Sequence, residues 1–107
     1  MEQTLQAFFE AVNANDVDRA LACCAENVSC TYPDPGRNWQ GRERGRIVMT
    51  AIFGQLARSR MQASFDIWEA DAENRILVTR ECWGHAHLKT TTTYTFTANN
   101  KIQSMES

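Results

Sequence analysis

The sequence predicts an α+β fold with the helices gathered on one face of an antiparallel sheet. Two observations carry this. Three segments in the N-terminal half repeat apolar residues at helical spacing, and the C-terminal half alternates or is β-branched, with short turn signals between runs. Helices first and strands afterwards make a segregated fold, and strands joined by short turns pair antiparallel.

Leu5, Phe8, Phe9 and Val12 lie on one face of a helix over residues 4–13, with Thr4 as its expected N-cap. Asn13-Ala14-Asn15 ends it. Asp16 then caps a second helix, expected over 16–25, with Val17, Ala20, Leu21 and Cys24 inward. Val28, Cys30 and Tyr32 alternate with Ser29 and Thr31 as a short strand. Pro33-Asp34-Pro35-Gly36 is a turn, because each proline bars the residue before it from helix. Val48, Met49, Ile52, Phe53 and Leu56 give a third helix over 41–57.

Four strand segments follow in meander order: 63–69, 75–83, the Thr-rich 90–97, and 101–106. Turns at 71–74 and 99–100 separate them. If Tyr94 and Phe96 face inward, so do Thr90 and Thr92. The bend over 84–89 is the least defined boundary.

The chain has 107 residues and reads as one domain, 1–107. Eleven Lys and Arg against thirteen Asp and Glu give a net charge of −2, which lacks the basic footprint of a nucleic-acid binder. No apolar run reaches the roughly 18 residues of a membrane helix. The N-terminus is amphipathic and carries acids, so no signal peptide is expected, and the expected location is cytoplasmic. Cys23, Cys24, Cys30 and Cys82 contain no CxxC pair, so free thiols are expected. Cys23 and Cys24 would point about 100° apart on a helix, one inward and one outward.

Few residues carry a chemical signal of their own. Tyr32 and Trp39 flank the proline turn and suit either a ligand wall or loop packing. Trp68 and Trp83 suit core or dimer contacts. Glu81, His85 and His87 would share a face if their strand ran unbroken, which is conceivable for a metal or an acid–base pair. Gly84 interrupts the run, so the expectation is two exposed histidines at a hairpin and no metal. Arg42, Arg44 and Arg46 point at three angles and read as a solvated face. No phosphate loop, HExxH or nucleophile elbow occurs.

The order of elements, with LQAFFEAVNANDVDRALACCAENV, YPDPG, WQGRERGRIVMTAIFGQL and TYTFTANNKIQSM, resembles the nuclear transport factor two-like superfamily, which includes ketosteroid isomerase and the SnoaL-type polyketide cyclases. The resemblance implies a cone-shaped, curved antiparallel sheet with the three N-terminal helices on its concave face. It also implies a deep apolar cavity for a small apolar or amphipathic molecule, no cofactor, and a homodimer through the outer sheet face. It fixes no reaction.

Asp34, before Pro35, matches the position of the isomerase base, and is the candidate catalytic residue; the other reading is an Asx-turn between two prolines. Phe8 stands where the isomerase has its tyrosine, and Thr92 where it has its protonated aspartate. Steroid isomerisation is therefore disfavoured. The strand over 90–97 holds no acid, which departs from the cyclases as well. The pocket is expected to be lined by Phe8, Val12, Tyr32, Trp39, Phe53, Thr92 and Tyr94. Two functions stay open: a small-molecule binder with an isomerase- or cyclase-type reaction using Asp34, or a non-catalytic dimerisation or interaction domain with a vestigial cavity.

Overall fold

A computed structural model describes residues 1–84 and 89–107; His85 and His87 lie outside the described residues. The elements are α1 (Glu2–Asn13), α2 (Val17–Ala22), β1 (Cys24–Thr31), a 3-10 turn (Pro35–Arg37), β2 (Trp39–Gln40), α3 (Arg42–Arg58), β3 (Ala63–Asp71), β4 (Ile76–Trp83), β5 (Lys89–Phe96) and β6 (Ile102–Glu106). The strands form one open curved sheet in the order β2-β1-β6-β5-β4-β3, with the three helices against its concave face. The α+β class and the helix-covered curved sheet are as the sequence predicts.

One pairing departs from the antiparallel expectation: β1 runs parallel to β6, with Cys24 opposite Ile102 and Cys30 opposite Met105. This pairing also explains why α2 ends at Ala22 rather than near residue 25. Ile102 donates its N–H to the Cys23 carbonyl at 2.8 Å, so the backbone here is already committed to the sheet. Tertiary pairing overrides the helical pattern of the local sequence.

The turn chemistry follows the sequence closely. Asn15 adopts φ 53, a left-handed conformation that asparagine tolerates well. Asp16 then accepts the Arg19 N–H at 3.1 Å and caps α2. Helix α1 begins at Glu2, before the expected Thr4 cap, and Thr4 Oγ1 instead donates to the Asn100 carbonyl at 2.8 Å. The Asn13 amide pairs with both backbone groups of Ala63, at 2.9 and 2.7 Å, pinning the end of α1 to the start of β3.

The core lies between helices and sheet. Leu5, Phe8, Phe9 and Val12 of α1 are buried, together with Met49 and Phe53 of α3 and Leu77, Tyr94, Phe96, Ile102 and Met105 of the sheet. Phe9 packs against Phe65 and Trp83, with ring centroids at 4.7 and 5.5 Å. No disulfide joins the four cysteines among the described residues; Cys24 and Cys30 are buried, Cys23 and Cys82 half-buried. Among the described residues no helix is long and apolar enough to cross a membrane.

Candidate functional site

Strand periodicity decides what faces the helices. On β4, Leu77, Thr79 and Glu81 are buried while Arg80 is exposed; on β5, Thr92, Tyr94 and Phe96 are buried. Thr79 lies opposite Thr92, and Glu81 opposite Thr90. This register puts a carboxylic acid on the inner face of the sheet, only 3% exposed. A buried carboxyl requires partners.

Glu81 has them. Trp83 Nε1 donates to Oε1 at 2.8 Å, and Thr79 Oγ1 donates to Oε2 at 2.8 Å. The Tyr94 hydroxyl also donates to Oε2. Both lone pairs of Oε2 are thus taken, whereas Oε1 has one donor among the described residues. Burial first, and then the charge and hydrogen bond of Glu81, hold the Tyr94 phenol well above the usual tyrosine range. Tyr94 therefore stays a neutral donor across physiological pH.

Glu81 lies in the wall of a cavity of about 650 Å³ between α3 and the sheet. Phe8, Met49, Ile52, Phe53 and Trp83 supply apolar surface, Thr90, Thr91 and Thr92 supply hydroxyls, and Tyr32, Arg37 and Trp39 stand on the loop side. The proline turn is built to hold that side. The Asn38 side-chain oxygen accepts the Tyr32 N–H at 2.7 Å, closing the loop on itself. The Arg37 guanidinium carbon sits 4.8 Å from the centre of the Tyr32 ring.

The wall residues next to this loop are kept neutral. Burial raises the Cys30 thiol, and Glu81 adds to that; a hydrogen bond from Tyr32 and the Arg37 charge act the other way. Burial likewise pushes the Tyr32 phenol up to about 12. The Trp39 indole Nε1 is buried beside this loop with no hydrogen-bond partner among the described residues.

Of the residues expected in the pocket, the structure brings Phe8, Tyr32, Trp39, Phe53, Thr92 and Tyr94 together in the lining. Val12 is buried in the core and does not line the cavity. Asp34 does not line it either. It is exposed, it precedes the 3-10 turn, and its Oδ1 accepts the Gly36 N–H at 3.1 Å. This is the Asx-turn geometry that Asp adopts between prolines. Among the described residues no three His, Cys, Asp or Glu side chains cluster as metal ligands.

The residue that sequence reasoning undervalued is Glu81. It appeared only as a neighbour of the two histidines. The available signal was its period-two register with Leu77, Thr79 and Trp83, which makes it an acid on an otherwise inward-facing row.

Comparison with known proteins agrees with this architecture. The model of the SnoaL-like domain matches residues 5–103, and the chain belongs to that family, within the nuclear transport factor two-like superfamily. A protein of unknown function with a cystatin-like fold from Methylobium petroleophilum superposes with a TM-score of 0.80 at 14% identity, over 98% of this chain and 72% of that one. A SnoaL-like protein of unknown function from Burkholderia thailandensis gives 0.78 at 12% identity, over 98% and 90%. The epoxide hydrolase/cyclase-like enzyme SalBIII, with a role in pyran ring formation in the polyether salinomycin, gives 0.75 at 17% identity, over 98% and 86%. At these identities the likeness shows the fold alone. No curated protein matches the chain.

Proposed function

We propose that the protein binds a small, mainly apolar molecule in this cavity and moves a proton on it without a cofactor, as an isomerase or cyclase does. The observation that carries the reading is Glu81: the one buried carboxyl among the described residues, in a mostly apolar cavity and held by Thr79, Trp83 and Tyr94. A side chain fixed by three donors is preorganised, and Oε1, which has a single donor among the described residues, is where a substrate proton would be received. That proton comes from a hydroxyl or from a carbon beside a carbonyl. It returns to another atom of the same molecule, so substrate and product are isomers and no redox partner is needed. The epoxide hydrolase/cyclase-like neighbour supports this class of chemistry on this fold.

In this reading Glu81, not Asp34, is the base. Asp34 is exposed at a turn, and its carboxylate is engaged with its own backbone. The two assignments separate in one experiment. Exchange of the protons beside the carbonyl of 2-tetralone, an apolar ketone, is followed by NMR in deuterated buffer. The wild type accelerates exchange, Glu81→Gln abolishes the acceleration, and Asp34→Asn retains it. The reverse pattern would return the role to Asp34. Binding of the ketone with no acceleration would favour a non-catalytic carrier.

The chain also pairs with a second copy through the outer sheet face. Trp68 is 63% exposed there, on the β3 bulge, with the Arg80 guanidinium carbon 5.4 Å from its ring centre. A large exposed aromatic on an uncovered sheet face supports a homodimer.

A further inference from the structure

We infer that the cavity takes an amphipathic organic acid, its carboxylate paired with Arg37 at the rim, its apolar body on Met49, Ile52 and Phe53, and an oxygen-bearing carbon at its inner end beside Glu81. The inference deepens the acid–base reading and rests on it.

Arg37 and Glu81 are the two formally charged side chains among the described lining residues, and they differ in how far their charge is already met. Glu81 is buried and carries three donors. Arg37 is exposed and takes part in neither of the ion pairs among the described residues, which join Arg19 to Asp16 and Arg46 to Asp18. The Tyr32 ring offers its guanidinium only a face. Stacking of this kind leaves the N–H edge available, and that edge fits a carboxylate bidentately.

Both ends line one cavity of about 650 Å³, within the range that holds a single small ligand. Cys30, in the wall, feels both charges: Arg37 pulls its thiol down and Glu81 pushes it up. The lining between them is mainly aliphatic and aromatic. A cationic ligand would meet Arg37 at the entrance and find at Glu81 a carboxylate already supplied with donors. A neutral apolar ligand would gain nothing from Arg37. An organic anion with an apolar body gains at both places, and the low-dielectric wall strengthens the rim pair relative to one in open solvent.

The test compares two dyes that share one apolar skeleton. 8-Anilinonaphthalene-1-sulfonate carries an anionic group in place of the carboxylate, and N-phenyl-1-naphthylamine carries none. Their dissociation constants are measured by fluorescence titration. Wild type binds the sulfonate about tenfold more tightly, equal to about 1.4 kcal/mol. The preference falls to near one in Arg37→Gln, is partly kept in Arg37→Lys, and persists in Arg44→Gln, which removes the same charge from the exposed face of α3. Equal binding of both dyes by the wild type, or a preference that survives Arg37→Gln, overturns the inference while leaving the cavity reading in place. Failure of both dyes to bind overturns the cavity reading as well, and this inference with it.

Discussion

The Trp39 indole occupies the space that a side chain at Gly45 would need. A Cβ built on Gly45 would lie 2.8 Å from Trp39 Cζ3 and 3.0 Å from Cη2. Helix α3 therefore carries a glycine in its first turns because a cavity-lining tryptophan lies against its backbone. Gly45→Ala is expected to set two effects against each other. Helix propensity improves by about 1 kcal/mol, and overpacking costs about 1–3 kcal/mol. The net expectation is a loss of about 1 kcal/mol in urea unfolding, with a shift in tryptophan emission as the indole moves. Unchanged emission and a gain in stability would show that the ring has room to yield.

Tyr94→Phe removes one of the two donors on Glu81 Oε2 and leaves the ring's packing in place. Loss of a buried hydrogen bond to a carboxyl costs about 1–3 kcal/mol, so the thermal midpoint should fall by several degrees for a domain of this size. The variant should also lose most of the tetralone exchange rate, because a less constrained Glu81 spends less time in the productive geometry. Full exchange with reduced stability would make Tyr94 a purely structural partner.

Much of the fold was legible because it rests on local patterns. The Asn15-Asp16 turn, the proline turn and the Thr-rich strand each announce themselves within a few residues, and the inward row Thr92, Tyr94, Phe96 follows from alternation alone. The parallel pairing of β1 with β6 was not legible. It joins residues more than seventy positions apart, and nothing around Cys24 marks it as a strand start rather than a helix end. The site divides in the same way. Aromatic lining residues were found because they lie on helix and strand faces with clear periodicity. Glu81 was passed over because its worth depends on Tyr94 of the neighbouring strand reaching it, a contact that no local spacing encodes.

Cys24 is fully buried, and burial pushes its thiol up from 9.0 to about 12. In the unfolded chain it ionises near its ordinary value, so between those two values the folded state holds the extra proton. Stability from this group is complete below about pH 9 and is lost as pH rises towards 12. The rise from 9.0 to about 12 corresponds to about 4 kcal/mol. Urea unfolding from pH 8 to 11 should show a falling midpoint, and Cys24→Ala should flatten that slope even though it costs stability at neutral pH. An identical slope in the variant would assign alkaline unfolding to other groups, Tyr32 and Tyr94 first.

A homodimer through the outer sheet face predicts a mass near twice the 12.2 kDa chain at micromolar concentration. Trp68 is expected to contribute most, since aromatic anchors at the centre of an interface commonly cost about 2 kcal/mol or more when truncated. Trp68→Ala should raise the dimer dissociation constant at least roughly thirtyfold by light scattering across a dilution series. A monomeric wild type at high concentration would leave Trp68 as an exposed surface residue.

Family resemblance first suggests steroid isomerisation, and the cavity is poorly equipped for it. Isomerising a Δ5-3-ketosteroid requires a base and, at the carbonyl oxygen, donors that meet the charge of the enolate. Phe8 and Thr92 line the cavity, and the sequence resemblance matches them to the isomerase's tyrosine and protonated aspartate. Phe8 donates nothing. Thr92 Oγ1 lies 3.4 Å from Ser107 Oγ, and a hydroxyl is a weaker donor than a neutral carboxylic acid. Each missing oxyanion donor costs about 10²–10³ in rate, so the loss of two puts steroid turnover roughly 10⁴–10⁶ below that of a proficient isomerase, while proton exchange on a small ketone by Glu81 stays faster than the uncatalysed reaction. A steroid assay on the wild type should therefore give no useful rate. Phe8→Tyr combined with Thr92→Asp restores both donor types, and should raise the rate if the carbonyl end of a steroid reaches that wall. A rate in the wild type near that of a proficient isomerase would show that other groups, with Tyr94 the first to test by Tyr94→Phe, supply the missing hydrogen bonds.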